Sequence, residues 1–110
     1  MSSLPEIKIK RISVSKIEKS CQEVSDLLRA LSHPQRLMIL GHLVHGHKTV
    51  SELQNLCGIS QSQISQFLSR MKLEGLLQSQ RVGKYQYYAI LDQRLVRLIS
   101  VVQDLFCHQN

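Results

Sequence analysis

The sequence lacks several features that define common protein classes. Its three cysteines, Cys21, Cys57 and Cys107, lie far apart and form no CxxC pair. Neither a disulfide framework nor a zinc ribbon is therefore expected, and the thiols should be reduced. The purely apolar runs are only a few residues long, such as 37–40, and the polar N-terminus has no apolar signal-peptide core. We therefore expect no membrane span and a cytoplasmic protein.

Catalytic motifs are also missing. The chain contains no glycine-rich phosphate loop, no nucleophile elbow, no HExxH sequence and no paired carboxylates. Its acidic residues are few and scattered, so they offer little machinery for acid–base catalysis. The sequence therefore predicts that the protein is not an enzyme, and it indicates no cofactor.

Positive charge is present, and it is concentrated in two stretches. The 110 residues, enough for one domain around a single core, include 14 basic and 8 acidic side chains. Residues 1–20 and 48–91 each hold five basic and two acidic residues, whereas charges balance in the rest of the chain. A localised excess of this kind suits a polyanion such as nucleic acid or an anionic membrane surface. Charge alone does not decide between these partners.

The chain begins with a basic segment and a helix that has a narrow apolar seam. Residues 1–12 are expected to form a basic N-terminal arm, either mobile or extended, and residues 13–110 the folded domain. From about Ser13, apolar residues recur at alternating steps of four and three, which aligns them along one side of a helix. These residues are Ile17, Cys21, Val24, Leu28 and Leu31. His33-Pro34 separates this helix from a second one, which Gly46 closes.

Two capped helices follow, separated by a turn that contains glycine. The sequence TVSE at 49–52 fits a capping box. In such a box the threonine hydroxyl accepts the backbone N–H of the glutamate, and the glutamate carboxylate accepts the backbone N–H of the threonine. The sequence SQSQ at 60–63 fits a second box, and Cys57-Gly58-Ile59 lies between the two helices. This spacing predicts a helix-turn-helix, whose second helix runs to Glu74 and stops at Gly75.

The remaining residues predict a β-hairpin and a last helix. "LLQSQRV" and "YQYYAIL" flank Gly83-Lys84 and have the tyrosine and aliphatic content of strands. Asp92 caps a helix whose apolar face is too broad for one small core. That face comprises Leu95, Leu98, Ile99, Val102, Leu105 and Phe106, extended by Val96 and Val101. The expected fold is mainly α-helical with a small β-hairpin: a winged helix-turn-helix in the order helix, helix, helix-turn-helix, hairpin, helix.

The second helix of the helix-turn-helix has an unusual composition. Its segment "SQSQISQFLS" contains four serines and three glutamines, although serine is a mediocre helix former. At about 100° per residue, Ser62, Gln66 and Ser69 fall opposite the apolar residues, flanked by Ser65. Hydroxyls and amides can bond base edges in a major groove, and no carboxylate is present to repel phosphates. The alternative is an ordinary solvated face. Leu73 also falls on the polar side, where we expect the hairpin to cover it.

The predicted hairpin tip is basic. Arg81 and Lys84 bracket Val82-Gly83, where long cationic side chains can reach a minor groove or phosphates. Arg70 and Lys72 add positive charge beside the polar helix. The alternative role for a basic tip is solubility and protection of an edge strand.

Three segments resemble the ArsR/SmtB family of dimeric winged-helix transcriptional repressors. They are "ALSHPQRLMIL", "TVSELQNLCGISQSQISQFLSRMKLEGLL" and "GKYQYYAI", which occur in the family's order and at its spacing. The resemblance implies that the polar helix reads an operator on double-stranded DNA, that the hairpin tip acts as a DNA-binding wing, and that the first and last helices form a homodimer. The candidate DNA-binding residues are Ser60, Gln61, Ser62, Gln63, Ser65, Gln66, Ser69, Arg70, Arg81 and Lys84.

The apolar faces of the first and last helices require a partner surface independently of this resemblance. In a homodimer the two reading helices would lie one DNA turn apart, about 34 Å, on an imperfect palindrome. The competing interpretation is a winged-helix module that binds another protein instead of DNA.

The signal that releases such a repressor is left open by the sequence. The family's arsenic-type Cys-Val-Cys run and zinc-type Asp-x-His pattern are both missing, so no metal site is expected. The family's redox and persulfide sensors pair a cysteine on the second helix with one near the end of the last. Cys107 lies at the position near the end of the last helix, whereas Gly41 occupies the position of the cysteine on the second helix. A thiol switch therefore requires that Cys21 lie near Cys107 across the dimer, and the alternative is that Cys21 is a small buried residue.

Histidines offer a weaker alternative, a metal-responsive repressor with a non-standard site. His42, His45 and His47 have no carboxylate or thiol nearby in sequence, and we interpret them as surface residues. His33 is interpreted as a helix-start residue.

Overall fold

The computed structural model describes residues 14–107 of the chain, with side chains from residue 16 onward. The basic arm predicted for residues 1–12 lies outside the described residues. Helices and strands follow one another as α1 (Val14–Ala30), α2 (Pro34–Leu43), β1 (Lys48–Thr49), α3 (Val50–Cys57), α4 (Gln61–Leu73), β2 (Leu77–Val82), β3 (Tyr85–Ile90) and α5 (Gln93–Phe106). The predicted winged helix-turn-helix, mainly helical with a hairpin before the last helix, is confirmed.

The strands form an antiparallel sheet in the order β1-β3-β2. The two-residue turn Gly83-Lys84 joins β2 to β3, with Val82 opposite Tyr85. Gly83 has a φ of 63° whereas the φ of Lys84 is not positive, and this combination distinguishes a type II′ hairpin turn from type I′. The short strand β1 was not predicted, because two residues are too few to give an alternating pattern. Its pairing of Thr49 with Tyr87 fixes the start of α3 against the hairpin.

The caps of the helix-turn-helix are largely as predicted. The Thr49 N–H donates to Glu52 Oε1 at 3.0 Å, and the Glu52 N–H donates to Thr49 Oγ1 at 3.1 Å. Donation to the Glu52 carboxylate from the Thr49 backbone N–H, and after it from the Thr49 hydroxyl, holds the pKa of Glu52 below its ordinary value. The second box is formed on one side only. The Ser60 hydroxyl accepts from the Gln63 N–H, but the Gln63 amide oxygen accepts the hydroxyl proton instead of bonding the Ser60 N–H.

The other helix boundaries differ from the sequence pattern by a few residues. The last residue of α1 is Ala30, and α2 ends at Leu43 because Val44 and His45 continue as a turn toward Gly46. At the start of α2 the His33 Nδ1 accepts the Gln35 N–H at 3.1 Å. The interpretation of His33 as a helix-start residue is therefore confirmed.

One apolar core lies between α2, α3, α4, α5 and the base of the hairpin. Its largest fully buried side chains are Ile39, Leu40, Leu53, Ile64, Leu68, Met71, Leu77 and Leu95. From α1, Ala30 joins this core as a buried residue, whereas every side chain from 16 to 29 is exposed or half-buried. None of the helices within residues 14–107 combines the length and apolar character needed to cross a membrane.

Candidate nucleic-acid interface

The helix α4 has a buried side and an exposed side. Ile64, Leu68 and Met71 have no solvent exposure and anchor the helix to the core. The polar residues lie on the remaining surface: Ser60, Gln61, Ser62, Gln63, Gln66, Ser69 and Arg70 are exposed, and Ser65 is half-buried. Gly58, with a φ of 66°, closes α3 and turns the chain so that α4 begins at the surface. An uncharged hydrogen-bonding stripe therefore faces solvent along α4.

Leu73 corrects one expectation, because the hairpin does not cover it. The side chain is 86% exposed, at the end of the stripe that Ser62, Gln66 and Ser69 form. The hairpin approaches α4 on the side of Lys72, whose ammonium group donates to the Ser79 hydroxyl at 2.6 Å. Since a helix turns by about 100° between neighbouring residues, Leu73 points away from the hairpin.

The start of α2 lies beside the exposed side of α4. The His33 ring centroid is 5.2 Å from that of Phe67, on the flank of α4. A depression lies between the two helices, lined by His33, Gln35, Gln63, Ser65, Gln66, Phe67, Ser69, Arg70 and Leu73. Its lining contains no carboxylate. His33 and Gln35 thus adjoin the candidate DNA-binding residues, although about 30 positions separate the two segments and no local sequence pattern connects them.

An ion-pair network holds the end of α4. The Arg36 guanidinium donates to the Glu74 carboxylate at 2.6 Å, and Arg70 lies 3.5 Å from the other oxygen of that carboxylate. The Arg36 side chain is only 15% exposed, so the pair is partly shielded from water. Glu74 therefore ties α4 to α2 and partly neutralises Arg70.

The cations at the tip of the wing carry no such compensation. Arg81 and Lys84 are exposed, and neither belongs to an ion pair within residues 14–107. The Lys84 ammonium lies 5.5 Å from the centroid of the Tyr85 ring. Val82 and Tyr85, 55% and 50% exposed, add apolar surface beside these charges.

The thiols and histidines form no metal site in the described part of the chain, where no group of three or more histidine, cysteine or acidic residues could hold an ion. Cys21 and Cys107 are both exposed, so Cys21 is not buried within the protomer. Burial raises the pKa of the half-buried Cys57. His47 packs on Tyr87, with ring centroids 5.1 Å apart.

Comparisons with known proteins agree with this geometry. A family model described as "Bacterial regulatory protein, arsR family" matches residues 33–79. The biofilm growth-associated repressor of Xylella fastidiosa is 36% identical over 94 residues, which are 86% of this chain and 82% of the relative. The HTH-type transcriptional regulator YgaV of Escherichia coli is 35% identical over 95 residues, 86% of this chain and 96% of the relative.

A solved structure extends the match to the whole fold. The crystal structure of the transcriptional repressor BigR from Xylella fastidiosa matches with a TM-score of 0.84 and 34% identity, covering 89% of this chain and all of that one. The assignments to particular DNA-binding residues stay predictions. The identity, the coverage and the shared fold show that this chain belongs to the ArsR family, whose members are DNA-binding transcription regulators and not enzymes.

Proposed function

We propose that this regulator is a homodimeric repressor that acts in the cytoplasm and blocks transcription by occupying a palindromic operator. The observation that carries the proposal is the exposed side of α4, where hydroxyls and amides form a stripe flanked by cations. Such groups can both donate to and accept from base edges in a major groove. The printed names of the biofilm growth-associated repressor and of the transcriptional repressor BigR, both from Xylella fastidiosa, support repression as the outcome.

Roles within the interface follow from chemistry and position. Gln66 and Ser62, in the middle of the stripe, read base edges, and Gln66 suits a bidentate bond to adenine. Gln61 and Ser65 supplement them at the flank. Phosphates are the partners of the remaining candidates, through charge or through uncharged polar groups of α4 and its N-cap. These candidates are Ser60, Gln63, Ser69, Arg70, Arg81 and Lys84.

The homodimer is supported by apolar surface that one protomer leaves exposed. Along α1, Ile17, Val24 and Leu28 are 47%, 43% and 52% exposed. Val101, Leu105 and Phe106 of α5 are exposed as well. A groove between the two helices is lined largely by Val24, Leu27, Leu28, Leu98 and Val101, with Arg94 and Arg97 at its edge. A second copy that presents the same surfaces buries this apolar area in a symmetric contact.

Ion pairs within the protomer connect α1 and α5 at this surface. The Arg94 guanidinium donates to Glu23 of α1 and to Asp92 at the start of α5, each at 2.8 Å. It thereby links the two helices that form the proposed interface. Exposed ion pairs contribute little to stability, so we assign this one a role in orientation.

Operator spacing tests the proposal directly. Once genomic fragments have identified the operator, five base pairs inserted between its half-sites rotate one of them by half a turn, which a rigid dimer cannot follow. Affinity measured by fluorescence anisotropy should then fall at least ~100-fold, toward that of a single half-site. Unchanged affinity would mean that the protein binds as a monomer. Binding that is insensitive to salt would instead favour a protein-interaction module.

The release signal that we propose is oxidation or persulfidation at Cys107, with Cys21 of the other protomer as the second thiol. Exposure of both thiols supports this assignment. Peroxide would take two electrons and two protons from the pair as the sulfurs bond. Peroxide or polysulfide should release operator DNA from wild-type protein and from the Cys57→Ser control, but not from Cys107→Ser or Cys21→Ser. Equal release from all four proteins would exclude this thiol pair.

A further inference from the structure

The face of the hairpin that looks toward α4, its inner face, changes character from base to tip. At the base Leu77 lies opposite Ile90, and both are buried in the core. At the next inner position Ser79 lies opposite Tyr88, and then Arg81 lies opposite Gln86. The wing is therefore fixed to the core by apolar contacts at its base, whereas nearer the tip it presents polar groups to the flank of α4.

One hydroxyl on this face collects two donors. The Lys72 ammonium donates to Ser79 Oγ at 2.6 Å, and the Gln86 amide donates to the same oxygen at 2.9 Å. Because these bonds use both lone pairs of the oxygen, the Ser79 proton is left to donate to another acceptor. Lys72 has three N–H groups and Gln86 has two, and each uses one of them to bond Ser79. Both side chains therefore have further N–H groups that can donate to another acceptor.

Among the described residues, positive charge at this junction has no acidic partner. Within residues 14–107, neither Lys72 nor Arg81 belongs to an ion pair. The nearest acid in sequence, Glu74, is already bonded by Arg36 and approached by Arg70. Arg81 lies two residues beyond Ser79 on the same face, about 7 Å along the strand. Several donors thus share one side of the junction, and no carboxylate in the described part of the chain is bonded to them.

We propose that Lys72, Ser79 and Gln86 together bind one phosphate of the DNA backbone, while Arg81, farther along the same strand, contacts a different phosphate. The inference rests on the proposed function, because it assumes that the stripe on α4 faces a major groove. Lys72 lies on the flank of α4 between that stripe and the wing. From there its side chain reaches the DNA strand that borders the major groove. A backbone phosphate accepts hydrogen bonds and carries the negative charge that this junction lacks. Its binding fixes the position of the wing relative to the reading helix.

Salt dependence tests the phosphate contact. Wild-type protein is compared with Lys72→Gln, with Lys72→Arg, which keeps the charge, and with Lys19→Gln, which removes an exposed charge from α1. Each neutralised phosphate contributes about 0.9 to the slope of log affinity against log salt. A homodimer carries two copies of this contact, so Lys72→Gln should reduce the slope by roughly twice that amount, on operator and scrambled duplexes alike. Lys72→Arg and Lys19→Gln should keep the wild-type slope.

A second variant examines the hydroxyl. Ser79→Ala removes an uncharged donor, so it should weaken binding to both duplexes at every salt concentration while the slope stays constant. Gln78→Ala is the matched control, because Gln78 is exposed on the same strand and alternates to the opposite face. Its affinity should equal that of the wild type.

The outcomes separate this inference from the proposed function. If Lys72→Gln keeps the wild-type slope and affinity while the wild type still prefers its operator, the phosphate contact is wrong and operator recognition stands. A lower melting temperature of Lys72→Gln with an unchanged slope would make the Lys72–Ser79 bond purely structural and would also overturn the inference. If the wild type shows no preference among duplexes, the proposed function fails, and the phosphate contact fails with it.

Discussion

The helix-turn-helix and the α1 helix differ in how much of their apolar surface one protomer buries. Leu53 of α3 and Ile64 and Leu68 of α4 have no exposure, and both helices begin with a side-chain cap. By contrast, α1 has no buried side chain between residues 16 and 29, and its apolar seam is exposed. The shape of the reading surface is therefore set within one chain. In the proposed homodimer, the distance between two such surfaces depends on the second copy. Separate substitutions should therefore affect the shape of the surface and the spacing between the two copies.

The largest effect is expected from a charge placed in the α1 seam. Leu28→Glu should prevent dimerisation, because a carboxylate would be buried against the apolar surface of the partner. Operator affinity should fall at least ~100-fold, since the two half-site contacts are no longer linked. Sedimentation and anisotropy measure the two effects. Ser25→Glu, exposed on the same helix outside the seam, should remain dimeric and bind normally. A Leu28→Glu dimer would show that the interface lies elsewhere.

A smaller effect is expected from substitutions on the reading surface, which should leave the dimer intact. Gln66→Ala should cost about 1–3 kcal/mol on the operator and relax the preference at particular base pairs. Arg81→Ala should weaken binding to all duplexes alike and reduce the salt slope by about one unit for each protomer, because it removes the proposed phosphate contact. Affinities for a panel of single-base operator variants distinguish the two patterns. Equal losses on every duplex for both variants would contradict the division of roles.

The N-terminal cap of α3 should affect the stability of the fold without changing the polar stripe of α4 or the apolar seam of α1. Thr49→Ala removes the acceptor for the Glu52 N–H and should lower the free energy of unfolding by about 1 kcal/mol. Urea denaturation measures this loss. A loss of operator affinity at unchanged stability would assign Thr49 to DNA binding instead.

The same cap predicts a dependence on pH. Because its hydrogen bonds lower the pKa of Glu52 below the ordinary value of 4.5, the ionised carboxylate stabilises the fold above that value. This contribution is lost as the pH falls through the lowered pKa. Glu52→Gln should therefore melt below the wild type near neutral pH, and the difference should shrink below about pH 4. A constant difference across this range would mean that ionisation of Glu52 contributes nothing.

Local signals in the sequence account for the elements that were predicted correctly. A Thr49-to-Glu52 box, a glycine turn at Gly58 and a Gly83-Lys84 hairpin each act within a few residues, so composition and spacing reveal them. Contacts between distant segments have no such signature. The pairing of Arg36 with Glu74 spans 38 positions, and the bond from Lys72 to Ser79 depends on how the hairpin packs. The Lys72–Ser79 bond marks the flank of α4 that meets the wing, and Leu73, about 100° further round the helix, is exposed.

Leu73 gives the smallest expected effect and the sharpest contrast with the seam. Both Leu28 and Leu73 are exposed, at 52% and 86%, yet Leu28 has apolar neighbours along its side of α1 whereas Leu73 ends a polar stripe. Leu73→Gln should therefore leave the dimer intact and change the free energy of unfolding by less than about 0.5 kcal/mol. Sedimentation and urea denaturation measure both quantities. If Leu73→Gln dissociated the dimer, α4 would lie in the interface and its polar stripe would not be free to enter a groove.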